Sequence, residues 1–160
     1  MDKVTLPQFP ISGGCQCGAV RYTLKAAPLV FYLCHCTDCQ KQSSSAFGES
    51  VRVRADDVEI TGQLALYTGT ADSGRGKYCQ FCPTCGTRLF HRRTPDAEVL
   101  NIKGGSLDDA KWLRPSGHIW TRSKQAFISI GDDELSYPEQ PDDDALTARW
   151  QQMCTPSPPL

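Results

Sequence analysis

At 160 residues, 39% apolar and 22% charged, the chain suits one packed domain and excludes a disordered polymer. A formal net charge of −1 gives no global attraction to nucleic acid or to an anionic membrane surface. What stands out instead is nine cysteines in so short a chain.

The first residues, Met1-Asp2-Lys3-Val4-Thr5-Leu6-Pro7, lack the basic-then-apolar pattern of a secretory signal. The most apolar stretch, 19–34, is interrupted by Arg21, Lys25 and Pro28, so it is no membrane span. A cytoplasmic setting is therefore expected. Thiols stay reduced there, and the cysteines point to metal before disulfides.

In chain order, 1–12 reads as a loose lead-in or edge segment, and 12–18 as a Gly-rich turn holding Cys15 and Cys17. Residues 19–25 alternate apolar and polar with β-branched and aromatic members, predicting a half-buried strand that Pro28 ends. The apolar run 29–33 predicts a buried strand delivering Cys34. A short helix over 38–45, capped by Thr37, follows. Residues 50–54 alternate, with Val51 and Val53 on one face. Residues 58–60 and 64–67 predict a hairpin around Thr61-Gly62. A polar loop covers 69–76, and 78–86 holds the next cysteines.

Strands are then expected at 87–91 and 99–102, and a turn opening a short helical piece at 104–109. Further strand or edge segments are expected at 118–121 and 126–129. Residues 131–144 are acidic and proline-punctuated, and 145–153 has room for two helical turns. Many short strands between Gly and Pro turns predict a mainly β single domain with short helical pieces. Its extent is read as 1–135, with a polar, Pro-rich tail over 136–160.

Eight cysteines fall into three groups: Cys15 and Cys17; Cys34, Cys36 and Cys39; and Cys79, Cys82 and Cys85. Cys154 stands alone. Cys15-Gln16-Cys17-Gly18 and Cys82-Pro83-Thr84-Cys85-Gly86 both end in Cys-Gly. A glycine there permits the positive φ that turns backbone N–H groups toward the sulfurs. Two such knuckles facing each other make a closed Cys₄ structural zinc site of Cys15, Cys17, Cys82 and Cys85. This leaves Cys34, Cys36 and Cys39 one ligand short of a tetrahedral shell. Three protein ligands and one open position describe catalytic zinc. Cys79, His35 or His91 would instead close the shell. His35 lies between two ligands, where an alternating backbone points it away.

Gly-Gly-Cys-Gln-Cys-Gly-Ala-Val-Arg-Tyr, Cys-His-Cys-Thr-Asp-Cys-Gln and Phe-Cys-Pro-Thr-Cys-Gly-Thr-Arg-Leu, in that order, resemble the glutathione-dependent formaldehyde-activating enzyme family. That family also takes in centromere-protein-V-like proteins. The resemblance continues through Gly105-Ser106-Leu107-Asp108-Asp109 and His118-Ile119-Trp120, covering roughly 12–122. It implies a zinc-stabilised β-tent fold and two zinc ions per chain. One is structural, on Cys15, Cys17, Cys82 and Cys85. The other is catalytic, on Cys34, Cys36 and Cys39. Cys79 departs from the pattern.

A Cys₃ zinc site is electron-rich, so its bound water is a poor acid and a substrate thiol is the better ligand. The expected activity is that of a carbon–sulfur lyase, joining glutathione or a similar thiol to formaldehyde or another small aldehyde. The alternative is a zinc-stabilised binding module without catalysis. Candidate partners for glutathione's carboxylates are Lys41, Arg52, Arg88, Arg92 and Arg93, though a solvated surface charge is the ordinary role of each. His91 and His118 are candidate donors to an alkoxide. Trp112 and Trp120 are expected in the core. No basic run exceeds His91-Arg92-Arg93, which argues against nucleic acid.

Overall fold

The computed structural model describes residues 1–142 and 144–156. Its elements in order are β1 (Val4–Thr5), β2 (Ile11–Gly14), β3 (Arg21–Leu24), β4 (Val30–Cys34), α1 (Thr37–Ser43), β5 (Gly48–Arg54), β6 (Val58–Thr61), β7 (Ala65–Thr70), β8 (Gly76–Phe81) and β9 (Arg88–Arg92). After these come β10 (Val99–Lys103), β11 (Gly117–Ile119), β12 (Leu135–Ser136), α2 (Ala145–Met153) and β13 (Cys154–Thr155). The protein is mainly β, as the alternating segments predict.

Eight strands form one sheet in the order β12-β11-β4-β5-β10-β9-β8-β7, and β2-β3-β6 form a second. Period-two alternation explains how the large sheet divides its faces. On β5, Val51 and Val53 are fully buried in the core, while Ser50 and Arg52 point to the other side. Val20, Leu24, Leu89, Phe90 and Ile102 complete the same core. Tyr22 crosses between the sheets. Its ring meets Phe90 edge-on at 5.2 Å, and its hydroxyl shares a hydrogen bond with the Ser106 hydroxyl at 2.8 Å.

Three expectations change here. The hairpin over 58–67 does not form. β6 pairs with β3, Leu24 opposite Val58 and Arg21 opposite Thr61, while β7 pairs with β8. Gly62, at φ 94°, turns the chain out of the small sheet toward the large one, so the two strands share a turn but no ladder. Residues 126–129 form no strand, and Phe127 is 73% exposed. Their alternation reports a turn, closed by the Ile128 N–H on the Gln125 carbonyl at 3.1 Å.

The third change concerns the expected tail. α2 buries Leu146, Trp150 and Met153. The Trp150 indole N–H donates to the Pro28 carbonyl at 3.1 Å, and its ring packs edge-on against Phe31 at 6.3 Å. β13 then pairs in parallel with β1. The polar stretch 136–144 is followed by three apolar anchors spaced along one helix face, so the packed structure extends past residue 135. Residues 143 and 157–160 of the expected tail lie outside the described residues.

Candidate metal centres and the cavity between them

The first thiol group joins the two sheets. Cys15 and Cys17 sit in the turn from β2 to β3, and Cys82 and Cys85 in the turn from β8 to β9. The four sulfurs lie within 4.8 Å of one another. Cys15 Sγ is 3.6 Å from Cys17 Sγ, which is 3.7 Å from Cys82 Sγ. A tetrahedron with metal–sulfur bonds of about 2.3 Å spaces its sulfurs at about 3.8 Å, so the set fits one soft cation. Gly18 and Gly86 have φ of 81° and 77°, the conformation the knuckles require. The Val20 N–H points to Cys15 Sγ at 3.2 Å and the Cys85 N–H to Cys82 Sγ at 3.5 Å. The Thr87 hydroxyl, 3.2 Å from Cys85 Sγ, is the main reason the Cys85 thiol is pushed down to about 5.

Cys34 ends β4, Cys36 precedes α1, and Cys39 lies in its first turn. Their sulfurs also lie within 4.8 Å of one another. The helix cap is Cys36 rather than Thr37: its sulfur accepts the Cys39 N–H at 3.3 Å, so one atom both caps the helix and faces the other thiols. Gly48 makes room behind Cys39, since a Cβ there would stand 3.0 Å from Cys39 Cβ. The thiols share protons unevenly. S–H groups of Cys34 and Cys39 push the Cys36 thiol down to about 2, and hydrogen bonding to Cys36 pushes Cys34 far up. A divalent cation relieves this conflict by letting all three ionise together.

Neither Cys79, His35 nor His91 belongs to this group. His35 turns away as alternation predicts. Fully buried, it stacks on His118, with Nε2 2.9 Å from His118 Nδ1, and His118 Nε2 lies 3.5 Å from Glu134. His118 is thus bound inside the fold.

The three cysteines open onto a cavity of about 480 Å³. Strand register explains its floor: Arg52, Asn101, His91 and Cys79 stand opposite one another in a row across β5, β10, β9 and β8. Tyr32, two residues before Cys34 on β4, shares that face. Burial holds the Tyr32 phenol at about 12, and its hydroxyl donates to Asn101 Oδ1 at 3.4 Å. Burial, then the nearby Lys103 charge, pushes His91 well below the ordinary histidine range, and its Nδ1 has no hydrogen-bond partner. Trp120 forms part of the wall with φ 59° and ψ 35°, a conformation uncommon for a bulky residue.

Of the expected cations, Arg52, Arg92 and Arg93 line this cavity. Lys41 does not, and Arg88 stacks 4.4 Å over the Phe81 ring. Trp112 packs against the core beside Trp150, 6.5 Å between ring centroids, but Trp120 lines the cavity as well. Arg75, Lys77, Tyr32 and Asn101 also line the cavity, and sequence reasoning missed them. Tyr32 was accessible through its period-two relation to Cys34. Arg75 comes from the loop before β8 and Lys77 from the start of β8, which only tertiary pairing brings to the cavity.

A crystal structure of a Rhodobacter sphaeroides protein is similar to this chain at 19% identity and a TM-score of 0.49, covering 79% of this chain and 99% of that one. The profile of the glutathione-dependent formaldehyde-activating enzyme family matches residues 10–123, which include both sulfur clusters and most of the cavity. With most of its length matched, the chain belongs to the glutathione-dependent formaldehyde-activating enzyme family.

Proposed function

We propose that the protein is a zinc-dependent carbon–sulfur lyase that adds the thiol of glutathione, or a similar thiol, to formaldehyde or another small aldehyde and cleaves the same adduct in reverse. The observation that carries this reading is the three-sulfur cluster on the wall of a cationic cavity, apart from a four-sulfur cluster that fits a closed structural site. Cys15, Cys17, Cys82 and Cys85 would hold one zinc ion and Cys34, Cys36 and Cys39 the other. Bound by three thiolates, zinc supplies a soft Lewis acid that keeps a substrate thiol ionised at neutral pH.

The chain's own groups supply the rest. Arg52, Arg92 and Arg93 line the cavity without a carboxylate partner among the described residues, and they receive the substrate's carboxylates. As the carbon–sulfur bond forms, the carbonyl π pair moves onto oxygen. His91, held neutral, donates a hydrogen bond to that alkoxide, and the Tyr32 hydroxyl, held protonated, turns from Asn101 Oδ1 to donate a second, until a solvent proton completes the hemithioacetal. Cleavage reverses these steps: the hydroxyl proton leaves, the carbonyl re-forms and the sulfur departs as thiolate.

The test is direct. Isotope-labelled formaldehyde and glutathione are mixed with zinc-loaded protein, and exchange between free aldehyde and S-hydroxymethylglutathione is followed by NMR. Exchange faster than the spontaneous reaction, and lost in Cys36→Ser, is expected. Exchange at the spontaneous rate with both zinc sites filled would favour a zinc-stabilised binding module.

A further inference from the structure

The cavity holds more positive charge than its own acids balance. Six cationic residues line it, but only two acids, Asp38 and Asp72. Lys77 pairs with Asp38 at 2.9 Å, and Arg122 pairs with Glu139. Arg52, Arg75, Arg92 and Arg93 form no ion pair among the described residues. Arg92 has a substitute, lying 5.7 Å over the Tyr78 ring. The other three all line the cavity. Arg52 stands in register with Asn101, which pairs with His91, and Arg93 follows His91 by two residues. Arg75 precedes Gly76, whose backbone lies against the Arg93 carbonyl so closely that a Cβ there would collide with it. Partial burial, then the charges of Arg75 and Arg52, lowers the Arg93 pKa.

Glutathione, whose carboxylates the reading above places at these arginines, meets only part of this charge. Its two carboxylates are spread to opposite ends and it carries an ammonium, which three guanidiniums repel. A phosphate monoester concentrates almost two negative charges and three acceptor oxygens in one group, and it suits the guanidinium fork. Spacing points the same way. Arg52 lies four residues along β5 from Gly48, the register partner of Cys34. At about 3.3 Å per residue that is about 13 Å of strand. The arginine side chain spans part of that distance, and the remainder leaves room for an acidic group several bonds away from the thiol.

We infer that the thiol substrate carries a phosphate, with its sulfur at Cys34, Cys36 and Cys39 and its phosphate at Arg52, Arg75 and Arg93. This inference rests on the thiol-capturing reading above and narrows its substrate class to phosphorylated thiols with an extended arm.

The experiment uses the zinc-loaded full chain and calorimetric titration at low ionic strength. Its ligands are 4′-phosphopantetheine, pantetheine (the same thiol without the phosphate), glutathione and inorganic phosphate. The proteins are wild type, Arg75→Gln and Arg93→Gln, both altered at exposed positions. Phosphopantetheine should bind at least about tenfold tighter than pantetheine and than glutathione, and the ratio to pantetheine should fall toward one in both variants. Equal affinities for the matched pair, or tighter glutathione binding, would overturn the inference while leaving thiol capture standing. Inorganic phosphate binding as tightly as phosphopantetheine would overturn it in favour of a free-anion site, and a phosphate preference undiminished in both variants would overturn the arginine assignment. Failure of all three thiols to bind would overturn both the inference and the reading beneath it.

Discussion

Cys79 stands opposite His91 across β8 and β9, and both line the cavity without joining the sulfur group of Cys34, Cys36 and Cys39. Among the described residues the group of three sulfurs therefore has no fourth cysteine or histidine beside it. Cys79 is only three residues from Cys82, but β8 pairs as far as Phe81 before the chain turns. Cys79 and Cys82 are thereby committed to different surroundings. Cys79 keeps a protonated thiol, its pKa raised chiefly by burial.

Metal content should follow that division. Wild type should bind two zinc ions, Cys36→Ser one, and Cys79→Ser two, all three folded, as read by elemental analysis of chelator-washed protein. A Cys79→Ser variant holding one ion would make Cys79 a ligand and close the site.

The four-sulfur cluster carries a different expectation. Its sulfurs tie the β2–β3 turn to the β8–β9 turn, and the two sheets otherwise meet through Tyr22 and its neighbours. By analogy with zinc-finger peptides, such a site supplies on the order of 10 kcal/mol of folding free energy. Cys82→Ser should therefore lose cooperative thermal unfolding, whereas Cys36→Ser keeps it.

His91 gives a signed pH dependence. In the unfolded chain its imidazole protonates below about 6.5, while in the fold it stays neutral to well below that value. The unfolded state then binds more protons in that interval. His91 thus lowers stability as pH falls below about 6.5, by up to about 1.4 kcal/mol per unit, and contributes nothing above it. Urea unfolding at pH 5 and 7 should show a smaller loss for His91→Gln than for wild type. If His91 also stabilises the alkoxide, the same variant should lose roughly 10²-fold in exchange rate at pH 7.

The segment beyond residue 135 is a structural member. Trp150→Ala should cost about 3–5 kcal/mol, since it empties a fully buried site between Phe31 and Pro28. Truncation after residue 135 should abolish a cooperative melting transition, where a dispensable tail would leave it unchanged.

Local chemistry made the cysteine sorting readable. Gly18 and Gly86 mark the knuckle turns because only a residue without Cβ enters positive φ freely, and that signal needs no tertiary context. The strand at 48–54 was legible over 50–54 because burial on one face writes period two into the sequence, and that at 30–34 because a short continuous apolar run marks a buried strand. Pairing partners were not. Val58–Thr61 and Ala65–Thr70 look like one hairpin, yet each gains more by joining a sheet that already buries Tyr22 or Cys79. The cavity was hidden by the same limit. Arg52, Asn101, His91 and Cys79 are distant in sequence, and only register across β5, β10, β9 and β8 makes them neighbours. Trp120 was read as core because an aromatic residue usually is, and nothing local announces its left-handed backbone.

The central claim is that the cluster of Cys34, Cys36 and Cys39 holds a metal with room for a substrate thiol. Cobalt substituted at that site reports directly on its ligands through sulfur-to-metal charge-transfer absorption. Adding a substrate thiol should raise that absorption to the level of four sulfurs, reversibly, in wild type and in Cys79→Ser, and should not do so in Cys36→Ser. A wild-type spectrum that already shows four sulfurs and does not change with thiol would contradict the claim.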